Sequence, residues 1–194
     1  MGSLNLDMGL RDILSEKKPA ILKRWFDAIV DTYPANTAEF LKSQQDRFAN
    51  PVGHAISQGI EEIFDELMAG VDPERVSPFL DNILRVRAVQ DFKPAEAVSF
   101  IFLLKKAIRE EMKNLNGQTL GELPELESGI DELALCAFNV YMKCREDLYT
   151  VKANELRNMT SRLLERANII RPTGGLEPET KEAVIKVKRK EVTE

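Results

Sequence analysis

His54 is the one histidine among 194 residues, and that limits the chemistry open to this chain. An enzyme needs a positioned acid, base, nucleophile or metal. The pattern predicts a helix from Pro51 to Ala69 whose apolar face is Ile56, Ile60, Ile63, Phe64 and Leu67. At about 100° per residue, His54 falls roughly 140° from the middle of that face. It shares its side with Gln58, Glu61 and Asp65. It therefore reads as plain surface, as a contact to a partner chain, or as a pH-responsive contact beside carboxylates. A metal would need more ligands than one histidine can gather, unless carboxylates supply them.

The remaining reactive types are equally sparse. Cys136 and Cys144 fall on one predicted helix. Their separation puts them about 12 Å apart, too far for a disulfide or a shared ion. They read as small buried apolar residues of a reducing compartment, with a redox-responsive Cys144 as the alternative. Glu61-Glu62, Asp65-Glu66 and Glu110-Glu111 read as solvated helix faces, because acid–base work needs an apolar setting that shifts a pKa. No phosphate-binding loop, dinucleotide fingerprint or serine elbow is present. The densest polar cluster is Arg85-Val86-Arg87-Ala88-Val89-Gln90-Asp91-Phe92-Lys93-Pro94. Arg85 and Arg87 cannot face the same way on a helix. Lys93 with the free amides of a following helix start could hold an anion. Such residues more often cap helices and pair with acids. His54, Arg85, Arg87, Gln90 and Lys93 are thus the candidate ligand or partner contacts. No catalytic residue, metal site or cofactor is expected, and the chain is expected not to be an enzyme.

The elements that would carry these residues are helical. Leu10, Ile13 and Leu14 begin an amphipathic run that Pro19 interrupts, starting a second helix with Ile21, Leu22, Trp25, Phe26 and Ile29. Trp25 is a core anchor there, and Tyr33-Pro34 ends the helix. Asn36 or Thr37 caps a short helix through Phe48. Asn50-Pro51 caps the helix that Gly70 stops. Asp72-Pro73 and Ser77-Pro78 repeat the cap-plus-proline signal, the latter opening a helix to Val89. Pro94 opens a broadly apolar helix to about Leu115, and Asn116-Gly117 breaks the pattern.

One very long helix follows, from about 124 to 169. At 45 residues it would run roughly 65 Å. Its first half is apolar nearly all round, with Ile130, Leu133, Leu135, Phe138, Val140, Tyr141 and Met142, and is expected to be core. Its second half keeps a narrow stripe of Leu148, Val151, Leu156, Met159 and Leu163 among charges. Threes, fours and sevens separate Leu156, Met159, Leu163 and Ile170, the spacing of a coiled-coil seam. This stripe is the expected interface of a homodimer. Residues 1–9 read as an N-terminal extension, 10–170 as the helical domain with its projecting helix, and 171–194 as a flexible, Pro/Gly-containing tail whose basic end could dock on a partner. Hydrophobic content of 43% and charged content of 30% are ordinary for a globular chain. The net charge of −5 gives no support for nucleic-acid binding. No stretch approaches a membrane span, and no signal region opens the chain, which predicts a cytoplasmic protein.

Several of these stretches resemble a family. They are Ile13-Leu14-Ser15-Glu16-Lys17 with Trp25, Arg47-Phe48-Ala49-Asn50-Pro51-Val52-Gly53-His54, Arg85 to Phe92, Ile130-Asp131-Glu132-Leu133-Ala134, and Tyr141-Met142-Lys143-Cys144-Arg145-Glu146. From about Leu10 to Asn168 the chain resembles the N-terminal domain of the RsbRD-type RsbT co-antagonist proteins. The resemblance implies an all-α, globin-like helical bundle with a long C-terminal helix, acting in bacterial stress signalling. Related proteins are haemless globin-like dimers whose long helix leads into a STAS domain. No STAS domain is expected after Asn168, so functions that depend on STAS are not expected to carry over. The expected function is a non-enzymatic sensory, regulatory or scaffolding module that dimerises and meets a separate regulatory protein. The alternatives are a sensor of a small molecule, haem or an apolar ligand, and an accessory protein of anaerobic sulfur respiration, where stand-alone relatives occur.

Overall fold

The structure, a computed structural model, describes residues 9–44, 46–113 and 121–166. The described residues form seven helices and no strand. These are α1 (Leu10–Val30), α2 (Ala35–Ser43), α3 (Pro51–Ala69), α4 (Pro73–Val89), α5 (Pro94–Val98), α6 (Phe100–Glu111) and α7 (Leu123–Arg166). The fold is all-α with a long C-terminal helix, as the periodicity predicts. The chain divides into two compact units, Met1–Tyr149 and Thr150–Glu194. The expected break at Asn116-Gly117, the seam residue Ile170 and the tail at 171–194 lie outside the described residues.

In the first unit, α1 packs along α6 and α3, and α3 packs along α4. Gly59 permits the α3–α4 approach, since a Cβ there would stand 2.9 Å from Ile83 Cδ1. Trp25, Phe64, Phe100 and Tyr141 are the large side chains of a single core. Members of the acidic pairs also tie helices together, and Glu61 and Asp65 stay exposed as they do so. Lys18 reaches Asp65 at 2.7 Å, and Arg24 reaches Glu111 at 2.7 Å.

The cap signals at Asn50 and Asp72 are present as expected. Asn50 Oδ1 accepts from Gly53 N at 2.8 Å, and Asp72 Oδ1 accepts from Glu74 N at 2.9 Å. Two other proline signals mislead. Pro19 and Pro78 sit inside α1 and α4 rather than starting helices. Leu10, Leu14, Ile21, Trp25 and Ile29 stay in phase across Pro19, and all are buried. An interior proline costs about 3 kcal/mol. Burying Leu10 and Leu14 returns about 1.5–3 kcal/mol each, so the continuous helix wins. In α4, the Asp72 cap and buried Val76 hold the turn before Pro78 in the same way.

Two more expectations need correction. The helix through Phe48 stops at Ser43, and neither Asn36 nor Thr37 caps it. Asn50 Nδ2 donates to Leu41 O at 3.1 Å and Gln44 O at 2.8 Å, which bends the chain after α2 into the turn carrying Phe48. The helix from Pro94 is divided at Ser99, where Ser99 Oγ donates to Glu96 O at 2.8 Å and Trp25 Nε1 donates to Phe100 O at 2.7 Å. Side chains there take carbonyls that the helix would otherwise use.

Asn50 is buried and uses both ends of its amide, which gives a sharp test. Aspartate is as good a cap as asparagine. Asn50→Asp nevertheless places an acceptor against two carbonyls. Urea denaturation of the variant is expected to show a loss of about 1–3 kcal/mol. A midpoint equal to that of the parent would show that the cap alone matters.

Candidate functional site

The corner between α4 and α5 carries the polar cluster read from the sequence, with Arg87 inside and Arg85, Gln90 and Lys93 at the surface. Arg87 is fully buried. Its guanidinium carbon lies 5.5, 5.0 and 5.1 Å from the ring centres of Tyr33, Phe92 and Phe100. Nη1 donates to Glu96 O at 3.1 Å and Ala97 O at 3.3 Å, both in the last turn of α5, and Nη2 donates to Thr32 Oγ1 at 3.2 Å. Burial pulls the Arg87 pKa below its ordinary value, and Tyr33 acts in the opposite direction. Arg87 Nε and the Tyr33 hydroxyl are buried without a hydrogen-bond partner among the described residues. Arg87 was expected as a ligand or partner contact. Its stem lies on the core side of α4, in line with Leu80, Ile83 and Leu84, so the structure makes it an internal brace instead.

The other cluster members stay outside. Arg85 is exposed and holds Asp81 through Nε at 3.0 Å and Nη2 at 2.9 Å. Gln90 is exposed. Lys93 is exposed, and its backbone N–H donates to the Glu96 carboxylate at 3.3 Å. His54 is half-buried on the outer side of α3. It lines a groove of about 530 Å³ with Arg47, Phe48, Gln58, Phe79 and Asn82. A haem sensor would need an axial ligand facing the interior, and His54 does not supply one. No hydrogen bond joins His54 to Arg85, Arg87, Gln90 or Lys93 among the described residues.

The same corner is held from α7. Asp91 adopts a left-handed backbone, with φ 57°. The Tyr141 hydroxyl donates to Phe92 O. Arg145 Nη1 donates to Ala88 O at 3.2 Å and to Asp91 Oδ1 at 2.7 Å. Arg145 Nη2 donates to the Tyr149 hydroxyl at 2.6 Å, and its guanidinium carbon sits 4.9 Å from that ring centre. Asp91 first, then Tyr149, push the Arg145 pKa up. The sequence alone assigns no role to Arg145 or Asp91. Arg145 comes 57 residues after Ala88, and no local pattern links them.

The first half of α7 is not buried all round. Ile130, Leu133, Ala134, Ala137, Tyr141 and Cys144 face the core. Leu135, Phe138, Met142 and Tyr149 are between 38% and 68% exposed. A helix packed on one side of a bundle can bury only one stripe, and the apolar count around Val140 overstated it. Within the second unit, Val151, Leu156, Met159 and Leu163 are exposed. Leu148, expected beside them, packs partly against the core of the first unit. Val151 lies about 140° around the helix from Leu156.

The cysteines remain close to expectation. Cys144 is buried and Cys136 half-buried. The Cys144 thiol donates to Asp81 Oδ1 at 3.3 Å. Burial first, then Asp81, push its pKa up to about 11. Burial raises Cys136 as well. Among the described residues, no group of three or more His, Cys, Asp and Glu side chains is placed to hold a metal ion. Among them also, no helix is long and apolar enough to cross a membrane.

Because the thiolate is the reactive form, iodoacetamide at pH 8 is expected to label Cys144 far more slowly in native protein than in urea. The neutral thiol favours the fold below the unfolded pKa near 9. That contribution is lost as pH rises from there towards about 11. Equal labelling rates, read by peptide mass spectrometry, would contradict the buried thiol.

No curated protein and no solved structure matches the chain. The family model described as the RsbT co-antagonist protein rsbRD N-terminal domain matches residues 19–156. That span holds the α4–α5 corner, its clamp from α7 and most of the exposed α7 residues. The chain belongs to the RsbT co-antagonist rsbRD N-terminal domain family, a family of regulatory signalling domains.

Proposed function

We propose that this chain is a non-enzymatic regulatory module that pairs with a second copy through α7 and presents the pair to a separate regulatory protein. The observation that carries the reading is a spacing. Leu135, Met142, Tyr149, Leu156 and Leu163 follow one another at intervals of seven, and every one is exposed. Phe138 and Met159 stand three residues after members of that series and are exposed too.

An apolar repeat of seven marks a helix that pairs with another helix, because it keeps one seam facing the partner. A chain exposing this many large apolar side chains in register marks an interaction surface. The two ends of the series lie in separate units, and each satisfies the pattern by itself. Leu156, Met159 and Leu163 belong to the expected interface. Leu148 and Val151, also expected there, flank the line, with Leu148 leaning on the core.

A pairing interface fails when charge is placed in its seam. Leu156→Glu with Leu163→Glu is expected to leave a folded monomer with an unchanged circular dichroism spectrum. The check is molar mass by light scattering. A dimer mass in both parent and variant would move the interface off this line. A monomer mass in the parent would remove the pairing itself.

A further inference from the structure

At three places the exposed line of α7 carries a cation where the pattern asks for an apolar residue: Arg145, Lys152 and Arg166. Arg145 lies three residues after Met142 and four before Tyr149, at the second apolar position of its heptad. A cation there is unfavourable when a second helix covers it, since its water is lost. Yet this arginine is not free to solvent. It is the residue that reaches back to Asp91 and Ala88 O at the α4–α5 corner, and it stacks on Tyr149.

We propose that Asp91 is the built-in counter-ion of the pairing surface: it neutralises Arg145 so that Met142, Arg145 and Tyr149 can be covered by a second copy. The inference rests on the pairing reading above. It makes the α4–α5 corner a control point for assembly, because whatever draws Asp91 away leaves an uncompensated cation in the seam.

Three observations bear on it. First, Asp91 is exposed while Arg145 is mostly covered, with side-chain exposures of 71% and 21%. In a single copy such a pair contributes little to the fold, because water screens it. Covered by a partner, the same pair loses that screening, and removing one member becomes costly. The effect should therefore fall on assembly rather than on folding. Second, Arg145 Nη1 holds Ala88 O together with Asp91 Oδ1, and Nη2 holds the Tyr149 hydroxyl. The guanidinium is fixed by the corner on one side and lies along the line on the other. Third, Asp91 has the left-handed backbone that Asn also tolerates. Asp91→Asn can thus remove the charge and keep the turn.

The test is a double-mutant cycle read by sedimentation equilibrium on the full chain, with thermal melts to follow the fold. Asp91→Asn is expected to raise the dimer dissociation constant about tenfold or more. Arg145→Met removes the cation and is expected to leave pairing intact or tighter. The double variant is expected to pair as Arg145→Met does, since no charge remains at position 145 for Asp91 to neutralise.

If Asp91→Asn weakens pairing equally in the Arg145→Met background, Asp91 acts through the fold and the proposal is overturned. If the parent dimer is abolished by Leu156→Glu with Leu163→Glu but ignores Asp91→Asn, the pairing reading stands and this inference falls. A monomeric parent overturns both. Should Asp91→Asn fail to fold, Arg145→Met alone decides: loss of the dimer in that variant contradicts a cation that must be neutralised.

Discussion

The burial of Arg87 among three aromatic rings is the constraint on which the rest of this fold depends. A guanidinium out of water has to find donors' partners and polarisable faces close at hand. Here they come from four places in the chain: Thr32 and Tyr33 after α1, Phe92 in the corner, the last carbonyls of α5, and Phe100 at the start of α6. Meeting these demands fixes the end of α1 against the α4–α5 corner and divides the Pro94 helix at Ser99. Trp25 then binds the Phe100 carbonyl just beyond the break. The corner in turn offers Ala88 O, Asp91 and Phe92 O to α7.

How much of this could be read from the amino acids varies by element. The starts of α3 and α4 were legible because Asn50-Pro51 and Asp72-Pro73 combine a side-chain acceptor with a residue that needs no donor. The same logic failed at Pro19 and Pro78. There the core stripe runs on in phase, and burial outweighs a lost hydrogen bond. Trp25 was legible as an anchor because it sits in the middle of an apolar face. Arg87 was not, since a lone arginine between Val86 and Ala88 looks like surface until Tyr33, Phe92 and Phe100 are seen around it. Of these rings only Phe92 is near in sequence, while Tyr33 lies more than fifty residues before Arg87 and Phe100 about a dozen after it.

The long helix shows the same limit from the other side. Its existence and its start were clear from the apolar pattern, and Leu123 differs by one residue from the expected position. Which apolar residues face inward was not clear, because Leu133 and Leu135 look alike in a sequence. Only packing separates the buried line through Ile130, Ala137 and Cys144 from the exposed line through Leu135, Met142 and Tyr149. The exposed line was nonetheless written in the chain as a repeat of seven. It was masked by the buried one that shares the first half of the helix.

Position 91 carries two unrelated requirements at once. Its left-handed backbone favours Gly, Asn and Asp, the residues that adopt that region at low cost. Its contact with Arg145 asks for a carboxylate. Glycine or asparagine would satisfy the turn and leave the arginine unpaired, whereas glutamate would carry the charge on a backbone it adopts poorly. Of the twenty side chains one meets both demands, so the freedom of this exposed residue to drift is far smaller than its solvent exposure suggests. Any drift that does occur there is tied to the fate of a residue 54 positions later.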